Sequence, residues 1–140
     1  MVSACLTGVP CRFNGQAKTV PEIQALREQW QAIPVCPEVL AGLPTPRVPC
    51  EGGRGKVMGE DGKDYTEVFM LGAQKTLEIA QKNGIRTAIL RSKSPSCGCG
   101  KIFDGTFSET LIDGDGVTTT LLKEHGIQCM NEKEFLDSMT

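Results

Sequence analysis

Apolar residues in this chain follow two rhythms. Short unbroken runs at 2–6 (VSACL), 32–36 (AIPVC), 86–91 (RTAILR) and 127–130 (IQCM) are each bounded by Gly, Pro or charge. Runs of that length read as strands buried on both faces. Between them the apolar positions spread to helical spacing: Ile23, Leu26 and Trp30; then Phe69, Ala73, Leu77 and Ala80; then Val117, Leu121 and Leu122. Thr19 with Glu22 forms a capping-box pattern for the first of these helices, and Thr66 is placed to cap the second, which Gly84 ends. Asp115 opens the third and Gly126 closes it, while Asn131 with Glu134 predicts a last short helix. Residues 42–55 carry too much Pro and Gly for regular structure, and Asp61–Gly62 suggests the turn of a small hairpin near Val57 and Tyr65.

Strands alternating with helices predict an α/β fold: a single-domain, Rossmann-like, three-layer arrangement over 1–140, with a mostly parallel four-stranded sheet and a small hairpin insertion. Such sheets take ligands outside the carboxyl ends of their strands.

Composition narrows the setting. A chain of 140 residues with 39% hydrophobic and 23% charged content can bury one sizeable core, which excludes a disordered protein. The net charge of -2 removes the basic excess that nucleic acid or an acidic membrane surface would require. The start, MVSACLTGVP, has neither a basic leader nor a long apolar stretch, so a cytoplasmic protein is expected. No run approaches the ~20 apolar residues of a membrane span.

Seven cysteines change the picture. An odd count without a leader argues against a disulfide framework and leaves metal binding, thiol redox chemistry or core filling. Position discriminates among these. Cys5 closes the first predicted strand, Cys36 the second, and Cys97 lies in the glycine loop SPSCGCG after the third. A parallel sheet brings those three ends to one rim. Three or four thiolates there suit zinc or an iron–sulfur cluster. No C-x₂-C pair is present, so core filling by Cys5 and Cys36 stays open on position alone. Cys129, inside the fourth strand, reads as core.

Neighbouring residues add chemistry. Glu38 follows Cys36 by two positions, on the rim yet beside an apolar strand, where a carboxylate suits general acid–base work; a solvated loop carboxylate is the plain alternative. Ser94 and Ser96 bring hydroxyls beside Cys97, and Gly98 and Gly100 permit close backbone approach, so that N–H groups can donate to sulfide, thiolate or an anionic substrate. Ordinary turn formation would use the same residues. Arg12 and Arg47, in the loops after the first two strands, can bind a carboxylate, phosphate or carbonyl oxygen. The single His125 falls at a helix C-terminus, where it reads as structural, and a histidine-based triad is not expected.

Four blocks, SACLTGVPCRFNG, VCPEVLAGLPTPR, KSPSCGCGKIFDGTFS and GDGVTTTLLKEHGI, together resemble the thiouracil desulfurase family in the same order, from Ser3 to about Ile127. The resemblance implies a [4Fe–4S] cluster held by Cys5, Cys36 and Cys97 with one iron open, and places Glu38 and Ser94 on the substrate. It implies desulfuration of a thiocarbonyl nucleobase, such as 2-thiouracil, to the oxo compound and sulfide, with no change of oxidation state at carbon. Arg12, Arg47, Ser96 and Gly98 are then expected around the substrate. Cys50 and Cys99 depart from the family pattern, and either is a candidate to occupy the open iron. The alternative class is a non-catalytic zinc or iron–sulfur module with four thiolates. Zinc is also the ion expected in such a site after aerobic loss of a cluster. A third class, a thiol redox protein, would act without metal.

Overall fold

The computed structural model describes residues 1–29, 32–52 and 56–139. Four short strands form one parallel sheet: β1 (Val2–Ser3), β2 (Pro34–Val35), β5 (Thr87–Leu90) and β8 (Gln128–Asn131), in the order β2-β1-β5-β8. Val2 stands opposite Pro34 on one side and Ile89 on the other, while Thr87 to Leu90 pair in register with Gln128 to Asn131. Helices α1 (Pro21–Glu28) and α5 (Glu132–Asp137) cover one face; α3 (Thr66–Lys82) and α4 (Val117–Glu124) cover the other. A single turn of helix, α2 (Pro37–Leu40), follows β2 and packs on α3.

Side-chain alternation along the strands divides the core into two layers. Met1, Ala88 and Leu90 point to α3 and α4, meeting Leu77, Ala80 and Leu122. Val2 and Ile89 point the other way, meeting Leu6, Ile23 and the partly buried Phe135. This is the three-layer α/β architecture the apolar runs predict, because a strand buried on both faces needs apolar residues at successive positions.

Local details depart from the sequence reading where proline or a competing bond intervenes. The first strand stops at Ser3, and Ala4–Thr7 turn into a 3₁₀ helix ended by Gly8 at φ 99. Cys5 therefore sits in a turn just past the strand rather than in its last position. The box at Thr19 and Glu22 is not formed: Val20 is the N-cap without a side-chain bond, and Pro21 starts α1. Proline at the first helical position needs no donor there, which makes the box dispensable. Thr66 is likewise inside α3 and not its cap; its hydroxyl accepts from Val57 N at 2.9 Å, and Asp64 accepts from Thr66 N at 2.8 Å. The capping box of Asn131 and Glu134 is present in full. Trp30, expected on the face of α1, lies outside the described residues.

Two antiparallel ribbons extend from the sheet. In one, β3 (Cys50–Gly52) pairs with β4 (Val57–Gly59), so part of the Pro/Gly segment is a strand. The turn at Asp61–Gly62 follows directly, closed by an antiparallel bridge between Met58 and Asp64. The second ribbon, β6 (Lys101–Phe103) with β7 (Leu111–Asp113), is absent from the sequence reading. Its strands are three residues each, too short to show alternation against a background of Gly and Ser.

Candidate active site

In the sheet, the chain passes from β1 outward to β2 and later returns to place β5 on the opposite side of β1. That reversal opens a crevice beyond the carboxyl ends of β1 and β5, the position where open α/β sheets bind ligands. A cleft open to solvent lies there. Cys5, Cys36 and Cys97 line it together with Cys11, Cys50, Glu38, Ser94, Ser96, Arg12, Arg47 and Arg91. Every site residue expected from the sequence lines the cleft except Gly98. Cys99 is also absent from its wall.

Each thiol reaches the cleft by a different local device. Cys5 is carried by the 3₁₀ turn after β1, and Cys36 is the N-cap of α2, where Pro37 begins the helix. Cys97 depends on the loop after β5. Lys93, at φ 68, turns the chain sharply, and Ser94 Oγ then accepts from the N–H groups of Ser96 (3.2 Å) and Cys97 (3.1 Å). The carbonyls of Pro95 and Ser96 accept from the first amides of α4: Val117 N at 2.9 Å and Thr118 N at 2.8 Å. The orphan donors of that helix are thus satisfied by the thiol loop. Thr119 Oγ1 donates to Cys97 O at 2.9 Å and completes the clamp.

Glycine is required on both sides of this joint. A Cβ on Gly116 would stand 2.5 Å from the Ser96 carbonyl, and one on Gly98 would stand 2.5 Å from the Ser94 carbonyl oxygen. Gly98 therefore permits close packing behind the loop. Two further anchors escaped the sequence reading. Ser3 Oγ accepts from Arg91 N at 2.9 Å, and buried Glu132 accepts from Ser92 N at 2.8 Å as well as from the Ser92 hydroxyl. Their only sequence signal is a polar residue beside a strand end.

Glu38 is held at both oxygens. Arg47 Nε donates to Oε1 at 3.1 Å and Ser96 Oγ donates to Oε2 at 3.1 Å. The remaining donors of Arg47 go to Cys11 O (2.7 Å), Pro44 O (3.3 Å) and Thr45 Oγ1 (3.0 Å), and its side chain is only 5% exposed. Arg47 thereby stitches three segments around the carboxylate. Ser94 Oγ, with two N–H groups already donating to it, lies 3.1 Å from Ser96 Oγ. Glu38, Ser96 and Ser94 form one hydrogen-bonded line along the cleft wall.

Four of the cleft thiols are raised above the ordinary cysteine range by their surroundings. Burial pushes Cys97 up to about 12, against the pull of the Ser3 and Ser96 hydroxyls. Cys36 is raised by its contact with Cys11 and by burial. Cys11 rises to about 11: the Cys36 contact pulls it down, but its contact with Cys5 and burial outweigh that. Burial and the Glu38 and Asp61 charges lift Cys50 to about 12. A metal would have to displace these protons, as metal binding to thiols ordinarily does.

The donor set fits a thiolate-bound cluster. Five thiols face one cleft, and two buried guanidinium nitrogens in its wall, Arg12 Nε and Arg91 Nε, lack any hydrogen-bond partner. Among the described residues no three Cys, His, Asp or Glu side chains stand close enough to grip one metal ion.

The profile of the 2-thiouracil desulfurase family matches residues 1–134. The chain belongs to that family. It is accordingly an enzyme of C–S bond chemistry. Bacillus subtilis (strain 168) YbbK is 42% identical to it over 147 aligned positions, covering 98% of this chain and 97% of the relative. A solved structure of a [4Fe–4S]-dependent thiouracil desulfidase, TudS, superposes with a TM-score of 0.91 at 43% identity, covering 97% of this chain and 91% of that one. Family and fold both agree with the expectations from the sequence. No helix among the described residues is long and apolar enough to cross a membrane.

Proposed function

We propose that this protein removes sulfur from a thiocarbonyl nucleobase of the 2-thiouracil type, releasing the oxo base and sulfide, with a [4Fe–4S] cluster held by Cys5, Cys36 and Cys97. The observation that carries the reading is the convergence of those three thiols on one cleft with Glu38 and Ser94, at the switch point of the sheet. What such a cluster supplies when bound is a soft Lewis acid for the thiocarbonyl sulfur. The overall change is a hydrolysis: thiouracil and water become uracil and hydrogen sulfide, so no electron donor is needed.

The chain's own residues supply positioning and proton movement. Glu38 accepts a proton from water as its oxygen bonds to the thiocarbonyl carbon, and returns a proton to the departing sulfur or the ring nitrogen. Arg47 and Ser96 hold the carboxylate in place, which removes the need to reorganise it during reaction. Ser94 already accepts two backbone N–H groups, so its remaining capacity is its own O–H, which can donate to the substrate oxygen, to water or to Ser96. Ala4, Val35 and Pro37 give the cleft an apolar stretch of wall against which a flat base can lie.

Cys50 in the cleft keeps a four-thiolate module as the second reading, whereas Cys99 is buried outside the cleft wall, beside the charges of Lys123, Asp115, Glu134 and Glu132. One experiment separates the classes. The protein is reconstituted anaerobically with iron and sulfide, then given 2-thiouracil without reductant. Stoichiometric uracil and sulfide are expected. A cluster-loaded protein that leaves thiouracil intact, or a colourless protein holding one zinc, would overturn the catalytic reading.

A further inference from the structure

Arg12 and Arg91 stand out because their neighbour Arg47 shows what a satisfied arginine looks like in the same cleft. Arg47 has an acceptor at Nε, Nη1 and Nη2. Arg12 and Arg91 each have a buried Nε without a hydrogen-bond partner, and neither takes part in an ion pair among the described residues. They also line the same cleft with like charges. An unpartnered buried donor and a pair of like charges both cost stability. Two such costs at one point indicate that an anionic acceptor belongs between them.

The charge balance of the wall agrees. Three guanidiniums face one carboxylate, an excess of positively charged side chains. A cluster held by three thiolates is anionic overall, and its sulfurs are acceptors. We propose that Arg12 and Arg91 are the charge-compensating pair of this site: their Nε–H groups donate to sulfur on the Cys5 side, and their charge holds the cluster and sets its reduction potential. The inference rests on the cluster reading given above, and extends it to two residues that act on the cluster and not on the reacting base. Hydrogen bonds to sulfur and nearby charge are the protein's main levers on such a potential.

The test compares Arg12→Gln, Arg91→Gln, Arg12→Lys and Arg91→Lys as anaerobically reconstituted holoproteins, without substrate. Two readouts are taken: the midpoint potential and the rate of iron loss to a chelator. Removing a positive charge makes adding an electron harder, so both Gln variants should have a more negative potential. They should also lose iron at least about tenfold faster, the effect of roughly one lost charge-assisted bond. The Lys variants, which keep the charge, should stay nearer the parent in potential. Gln variants with the parent's potential and iron retention would overturn the inference. So would Gln and Lys variants that shift alike, since packing and not charge would then be responsible. In a separate turnover assay of the same variants, an effect confined to the KM for 2-thiouracil, with potential and iron retention at the parent's values, would assign the pair to substrate instead and overturn it as well. A parent protein that takes up no cluster would overturn the cluster reading together with this inference; a loaded parent beside unaffected variants would overturn the inference alone.

Discussion

Ser96 Oγ donates to Glu38 Oε2 at 3.1 Å, across 58 residues of sequence, and joins the thiol loop to the segment that carries the proposed base. Ser96 is 1% exposed and Glu38 is largely enclosed, so water cannot readily replace the bond. Ser96→Ala should cost about 1–3 kcal/mol of stability by leaving a carboxylate oxygen unpaired. Turnover should fall about 10- to 100-fold, because a freed carboxylate no longer holds its working position. Chemical denaturation and sulfide release at matched iron content measure the two effects. Parent-like turnover would show that Arg47 alone suffices to position Glu38.

Removing any of Cys5, Cys36 or Cys97 should remove the cluster. Serine at each position keeps the size but offers iron a poorer ligand. Cys11 gives this prediction its sharpest form, since it lines the same cleft as Cys5 and Cys36. Cys11→Ser and Cys129→Ser should keep iron at the parent's level, measured after anaerobic reconstitution and gel filtration. Cys50→Ser should keep both iron and desulfuration. Full iron in Cys97→Ser, or lost iron in Cys50→Ser, would reassign the ligand set.

Gly116→Ala tests the joint between α4 and the thiol loop. The backbone of Gly116, at φ -67, suits alanine, so the obstacle is the loop backbone: the Ser96 carbonyl 2.5 Å and the Pro95 carbonyl oxygen 2.8 Å from the new Cβ. Backbone cannot give way as a side chain does. The substitution should destabilise the protein by about 1–3 kcal/mol, as overpacking does, and loosen Cys97. Faster iron loss with an intact circular dichroism spectrum would localise the damage to the loop. Unchanged stability would mean that the helix and loop separate without penalty.

The sheet was legible because its strands are buried on both faces, which leaves continuous apolar runs at 2–6, 32–36, 86–91 and 127–130. The gathering of Cys5, Cys36 and Cys97 followed from topology, since parallel strands present their carboxyl ends on one edge. Less could be read of what holds the site. Arg47 was visible as a cation but not as the residue that ties Cys11, Pro44 and Glu38 together, because its four partners lie in three separate segments. Arg91 was the last residue of the run at 86–91; only the fold brings it into one cleft with Arg12. The Thr118–Thr119 pair, fully buried under the loop, had no periodic signal, since threonine inside a helix is as often exposed.

Glu38→Gln separates proton movement from assembly. Glutamine keeps the length of the side chain, and its amide oxygen can still accept from either Ser96 Oγ or Arg47 Nε. It cannot accept from both sides as a carboxylate does, because the amide NH₂ faces one donor. It also cannot take a proton from water. The residue is not proposed as an iron ligand, so the variant should load its cluster to the parent's level and show the same spectrum. Turnover of 2-thiouracil should fall by about 10²- to 10⁴-fold, the span expected for loss of a positioned general base. Glu38→Asp then distinguishes chemistry from architecture. It retains a titrating carboxylate but withdraws it from Arg47 and Ser96, so it should recover part of the lost rate. If Gln and Asp variants are equally slow, Glu38 acts by holding the cleft together; if Gln matches the parent, another group moves the proton.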